Sequence, residues 1–210
     1  MKVIAVLARK GGSGKTTLAV HLGVLAQAAG RRVLFFDLDP QRSLGSWWDS
    51  READTPPLVQ TDARRLGELV KVAGAEGYDV AVVDTPPAVT FDTARVAEIA
   101  DLAIVPLRPS ILDIRAVADT VSVVQATRTR LLLVLNSVLP PTDAGEARTT
   151  TDAREALGAL GAPVADTALA QRLDYTRALN GGEAVNEFAP DSRAAAEVAR
   201  LWREVEDMIR

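Results

Sequence analysis

"VIAVLARKGGSGKTTLAVHLGVLAQAAG", residues 3–30, decides the fold. Six apolar residues run without polar alternation into a loop holding Gly11, Gly12 and Gly14, and that loop opens an amphipathic segment closed by Gly30. A short apolar run bounded by glycine is a buried strand, and a glycine after an amphipathic run is a helix stop. Strand, glycine loop and helix in immediate succession are the context in which Gly-Lys-Thr cradles phosphate. The pattern G-x-x-x-x-G-K-[ST] asks for glycine at position 9, where this chain has Arg9, while Lys10 places a second ammonium five residues before Lys15. Lys10 therefore needs a reason of its own.

The same rhythm continues outward. Apolar runs at 32–37 (RVLFFD), 78–84 (YDVAVVD), 102–107 (LAIVPL) and 131–136 (LLLVLN) alternate with the amphipathic stretches SLGSWWDSRE, TARVAEIA, LDIRAVADTVSVVQAT and AREALGALG. Strands apolar on both faces belong to a parallel sheet covered by helices. The expected fold is therefore α/β, a doubly wound, mainly parallel sheet flanked by helices. Residues 54–61 (DTPPLVQT) read as a loop with a short strand, and Gly161 closes a helix before the run APVADT. No repeat or composition shift marks a boundary, so residues 1–210 are read as a single domain.

Composition narrows the chemistry. A net charge of −4 gives no global pull toward nucleic acid, so any such contact has to be a local patch. With no cysteine and one histidine, His21, thiolate-held clusters, zinc ribbons and histidine-rich metal sites are excluded. No run reaches the length of a membrane span and the N-terminus has no leader pattern, so a soluble, cytoplasmic protein is expected. There are four lysines (Lys2, Lys10, Lys15 and Lys71) among abundant arginines, yet the loop keeps two of them, because a planar guanidinium cannot replace a compact ammonium inside it.

In the loop, the backbone N–H groups of Gly11, Gly12, Ser13, Gly14 and Lys15 can surround phosphate oxygens, aided by the helix N-terminus. Lys15 is expected to reach the β- and γ-phosphates, Thr16 to give its hydroxyl to Mg²⁺, and Thr17 to bond the α-phosphate. Asp84 closes a buried strand at the carboxyl edge of the sheet, where a carboxylate can hold the metal's water shell. Asp37 and Asp39, two apart at another strand end, share one side of the chain. One can serve the metal's outer shell while the other orients an attacking water.

These residues carry a resemblance. Lys10 to Thr17, then Asp37-Leu-Asp39-Pro40-Gln41, then VVDTPP at 82–87, resemble the deviant Walker A, second and Walker B motifs of the ParA/MinD family of ATPases. The stretches VPLRPSILDIRA (105–116), LVLNSV (133–138) and LAQRLDYTRALNGGEAVNEF (169–188) extend the likeness over essentially the whole chain, which looks like the short ParF-type members. The resemblance implies ATP and Mg²⁺ as cofactors and an ATP-bound sandwich homodimer in which Lys10 crosses to the partner's phosphates. It implies catalytic roles for Lys10, Lys15 and Asp39, with Asp39 orienting the water and Asp37 and Asp84 around the metal. Asn136 falls where the family reads adenine, and Pro109 lies in the segment lining the base and the dimer contact. Further implications are nonspecific binding to nucleoid DNA, hydrolysis stimulated by a ParB-like or other adaptor, and positioning of a DNA or protein cargo. Without the second ATP, Lys10 is expected to be an uncompensated cation at the interface.

Absences sort the relatives. Nitrogenase iron protein, cluster carriers and arsenite pumps need cysteine. A MinD-like membrane regulator needs a basic amphipathic C-terminal helix. Here Val198, Leu201, Trp202, Val205, Met208 and Ile209 form an apolar stripe, but the other face mixes Glu197, Glu204, Glu206 and Asp207 with Arg200, Arg203 and Arg210. Packing onto the domain is the favoured reading. A P-loop ligase or kinase for a small acceptor is disfavoured by Lys10. For DNA, Arg172 is the leading candidate with Arg177, and Arg148, Arg154, Arg193, Arg200 and Arg203 are looser options. Trp47 and Trp48 are read as core anchors rather than a partner surface.

Overall fold

The computed structural model describes residues 1–87, 91–143 and 145–210. Among them a sheet of 7 strands runs in the order β3-β2-β4-β1-β5-β6-β7, with each pair of neighbours parallel. The strands are β1 (Lys2–Val6), β2 (Val33–Asp37), β3 (Leu58–Gln60), β4 (Val80–Asp84), β5 (Leu102–Leu107), β6 (Arg130–Val138) and β7 (Leu169–Ala170). The helices are α1 (Lys15–Ala28), α2 (Ser43–Asp49), α3 (Ala63–Ala75), α4 (Phe91–Ile99), α5 (Ile111–Thr127), α6 (Arg148–Gly158), α7 (Leu173–Asn180), α8 (Val185–Phe188) and α9 (Arg193–Ile209). This is the expected doubly wound architecture. The stretch 54–61 supplies the edge strand β3, and the helix after β2 stops at Asp49, short of the sequence expectation.

The missing polar alternation has a direct structural reason. Ile4, Val6, Phe35, Val82 and Ile104 enter the layer shared with α1, α2, α7, α8 and α9. Their neighbours Val3, Ala5, Phe36, Val83 and Val105 enter the layer under α3, α4, α5 and α6. Each large side chain so buried contributes about 1.5–3 kcal/mol, and neither face is left for water. Helix α9 uses its stripe in the first layer: Val198, Leu201, Trp202, Val205 and Ile209 are buried, with Met208 partly covered. That face is therefore core and not a membrane anchor. Among the described residues no helix is long and apolar enough to cross a membrane. Trp47 is buried, edge-on to Phe35, and donates to the Glu183 carbonyl at 3.2 Å. Trp48 is only partly buried against the same layer.

His21 of α1 is fully buried and accepts a hydrogen bond from the Val185 N–H at 3.1 Å, which fixes its unprotonated Nδ1. Burial pushes its pKa down to about 3, with the Glu187 charge opposing. The unfolded chain then binds a proton near pH 6.5 that the folded chain refuses, so stability falls as pH drops below that value. The His21 contribution should cost about 2 kcal/mol between pH 7.5 and pH 5. Urea unfolding at the two pH values should show that loss in the wild type and not in His21→Gln. The other titrating groups are common to both proteins, so the difference isolates the imidazole.

Candidate nucleotide site

The loop of residues 7–14 leaves β1 at the point where the sheet's winding reverses, with β4 on one side and β5 on the other. This crevice at the carboxyl ends of the strands is where open α/β sheets bind ligands. Leu7 N–H is held by the Ile104 carbonyl at 2.9 Å, and the Thr85 hydroxyl donates to the Val6 carbonyl at 2.8 Å, so both neighbours fix the loop's start. Its end is fixed from β6: the Asn136 amide donates to the Ser13 carbonyl at 2.8 Å. A β-carbon on Gly14, which sits at φ 97°, would lie 2.0 Å from that amide nitrogen. Only glycine gives both the backbone angle and the clearance. Asn136 therefore buttresses the loop, a role additional to the one its position in the sequence suggested.

Lys15, Thr16 and Thr17 form the first turn of α1. The Thr16 hydroxyl donates to Asp84 Oδ2 at 2.6 Å, while Asp84 Oδ1 is buried without a hydrogen-bond partner among the described residues. Burial pushes the Asp84 carboxyl up to about 7; Asp37 and Asp39 add to this, while the Thr16 bond and Lys15 oppose it. Lys15 is pulled below its ordinary value by burial, against the pull of Asp84 and Asp39. A carboxylate oxygen lacking a donor beside a threonine hydroxyl is a donor set suited to a hard cation. A buried ammonium under a helix N-terminus suits an anion.

Asp37 and Asp84 are register partners on β2 and β4. Asp37 is completely buried and already accepts from the Asp39 and Gly45 N–H groups, both at 2.9 Å. Burial raises its pKa and those two bonds oppose the rise. Its observed work is thus to pin the turn that carries Asp39. Asp39 is buried and accepts from the Gln41 N–H at 2.9 Å.

Lys10 departs from expectation. Its ammonium is not uncompensated: it donates to Asp113 Oδ2 at 2.9 Å within the same chain. The Asp113 side chain is 5% exposed against 47% for Lys10, and the Ser110 hydroxyl donates to the same carboxylate oxygen. Beside them, Arg9 pairs with Asp119 of the same helix, α5. Sequence reasoning missed Asp113, although Ser110-Ile-Leu-Asp113 has the spacing of an N-terminal capping box. Ser110 is the N-cap of α5 and its hydroxyl accepts from the Asp113 N–H. Pro109 is half-buried in the β5–α5 turn between Arg108 and this cap.

Beyond the loop lies a cleft of about 300 Å³, lined among others by Gly12, Gly14, Thr17, Arg108, Asn136 and Arg172. Arg172, the leading DNA candidate, is therefore not on an open surface. Its guanidinium bonds Glu197 Oε1 through Nε at 2.9 Å and Nη2 at 2.6 Å, and both side chains are largely buried. Glu197 is a correction too: read as part of the polar face of α9, it is buried and also accepts from the Ala170 N–H and the Tyr175 hydroxyl. An arginine fixed this way is a poor phosphate contact for DNA. Arg154 is likewise engaged, with Glu146 and the Ala165 and Asp166 carbonyls. Arg148 is exposed near Asp152, Arg177 is exposed on α7, and Arg193, Arg200 and Arg203 lie exposed along one side of α9.

Residues 4–185 match the family model described as the CobQ/CobB/MinD/ParA nucleotide binding domain. Over 212 residues the chain is 32% identical to the maintenance of carboxysome distribution protein A of Halothiobacillus neapolitanus, covering 96% of this chain and 95% of that protein. Among solved structures, a Cyanothece McdA variant in complex with ATP superposes with a TM-score of 0.77 at 19% identity, covering 99% of this chain and 96% of that one. The septum site-determining protein MinD from Pyrococcus horikoshii OT3, complexed with Mg-ADP, gives a TM-score of 0.78 at 18% identity, with coverage of 99% and 96%. At such identities these two establish the shared fold.

The Lys10–Asp113 pair has a measurable signature. Among the described residues Lys10→Ala leaves the buried Asp113 carboxylate with only the Ser110 hydroxyl, which should destabilise the protein by about 1–2 kcal/mol in urea unfolding. In an Asp113→Asn background the same substitution should cost less than about 0.5 kcal/mol, and a cost independent of residue 113 would show that the pair is not coupled.

Proposed function

Because the chain belongs to the CobQ/CobB/MinD/ParA nucleotide-binding family, we propose that it is an ATPase whose ATP-bound form is a homodimer that holds nucleoid DNA and positions a cargo. The observation that carries this reading is the Thr16–Asp84 pair, 2.6 Å apart with one Asp84 oxygen unpartnered, set beside buried Lys15 at the mouth of a glycine loop. Thr16 and Asp84 would hold Mg²⁺. When bound, Mg²⁺ supplies the positive charge that offsets the crowded phosphate oxygens. Gly11 to Lys15 would present N–H groups to the phosphates and Lys15 its ammonium, while Thr17 bonds the α-phosphate. Asp39, held by the Asp37-pinned turn, would orient the attacking water. Asn136, Pro109 and the cleft beside them would take the base.

Lys10 would act across the dimer, on the partner's phosphates. In the single chain it rests on Asp113, so ATP has to win it from a buried carboxylate. The exchange ties dimerisation to nucleotide: a lone lysine loses an ion pair by leaving, and two lysines facing two triphosphates regain more than that. For DNA, the exposed arginines of α9 (Arg193, Arg200 and Arg203), together with Arg177, replace Arg172 as the proposed contacts. A ParB-like or other adaptor would stimulate hydrolysis. The near full-length match to a carboxysome distribution protein favours a large protein assembly as cargo, in a cytoplasmic, nucleoid-associated setting.

Sedimentation with ATP tests the switch. Asp39→Ala should bind ATP, accumulate as a dimer and turn over at least about 10-fold more slowly than the wild type. Lys10→Ala should bind ATP and stay monomeric. Normal turnover by the first variant, or an ATP-dependent dimer of the second, overturns the assigned role. In gel shifts with ATP, Arg200→Glu/Arg203→Glu should lose DNA while keeping ATP binding, and retained DNA affinity would move the contact elsewhere.

A further inference from the structure

The cleft beside the loop carries an arginine that neither the phosphate motif nor the base-reading position accounts for. Arg108 follows the last residue of β5, and its guanidinium reaches over the loop, with Nη2 only 3.7 Å from where a β-carbon on Gly12 would stand. Among the described residues its side chain makes no hydrogen bond or ion pair, and no aspartate or glutamate is among the residues lining the cleft. Arg172, across the same cleft, is neutralised by Glu197. Arg108 is thus the uncompensated charge in this wall.

The backbone that carries it is fixed. Pro109 restricts the preceding residue to extended conformations, and the Ser110 N–H closes a tight turn on the Arg108 carbonyl at 2.8 Å. An unpaired guanidinium that reaches from this fixed backbone over a glycine loop suited to phosphate has the fork geometry that grips two phosphate oxygens at once. We infer that Arg108 is an additional anion-contacting residue of the nucleotide cleft, gripping the phosphate chain from the β5–α5 turn above Gly12. This rests on the nucleotide reading above and adds a residue to it.

Binding of ATP, ADP and adenosine to the full-length wild type, Arg108→Ala and Arg108→Lys tests the inference, by calorimetry for the nucleotides and by competition for adenosine. Since the Arg108 side chain has no partner among the described residues, both variants should unfold at the wild-type urea midpoint. Arg108→Ala should weaken ATP and ADP by about 10- to 100-fold and leave adenosine unchanged. Arg108→Lys should recover only part of the loss, because a point charge cannot reproduce the fork. Unchanged ATP affinity in Arg108→Ala, with the wild type binding ATP, overturns this inference and leaves the nucleotide reading standing. An equal loss for adenosine overturns the phosphate contact. A wild type that does not bind ATP removes the nucleotide reading and this inference together.

Discussion

A carboxylate buried at the end of an apolar strand has lost its water, and it needs donors or cations to replace what it lost. Among the described residues Asp84 has one donor, the Thr16 hydroxyl, and one oxygen with none. Its environment makes matters worse: Asp37 stands beside it in register and Asp39 lies close enough to raise its pKa further. The rest of the nucleotide region is arranged around that deficit. The loop brings Lys15 over the cluster, Asn136 and Ile104 fix the loop, and the two hydrophobic layers fix the strands that bear the acids. That deficit is what the proposed Mg²⁺ would fill.

A second charge problem is solved internally. Lys10 sits on Asp113, and the price of that comfort is that it must be detached before it can serve another molecule. Asp113 is buried, so the contact is not a loose surface pair of the kind that contributes little. It gives the resting chain a defined state instead of a free cation.

The fold was legible because strands buried on both faces lose their alternation, and five such runs spaced by helices leave few arrangements open. The loop, Asp84 and the Asp37/Asp39 pair were legible because each stands at a strand end, where sequence position and spatial position coincide. What escaped was side-chain pairing between distant segments. Arg172 looks like a free cation until Glu197, on a helix 25 residues later, is brought against it, and Glu197 looks solvated until α9 is seated. Asp113 had a local signal as a capping residue, but its bond to Lys10 spans 103 positions. Charge partners across such separations follow from tertiary packing, which periodicity does not encode.

Asp37 holds amides from two segments with one side chain: that of Asp39 and that of Gly45 in the first turn of α2. The two cannot move independently without breaking a buried bond. Trp47, two residues further along α2, reaches across to the Glu183 carbonyl ahead of α8. Helix α2 is thereby tied through Gly45 to the turn that carries Asp39 and through Trp47 to the segment ahead of α8. A displacement of Asp39 therefore acts on α2 through the Asp37 carboxylate, and a displacement of α2 acts on Asp39 in the same way.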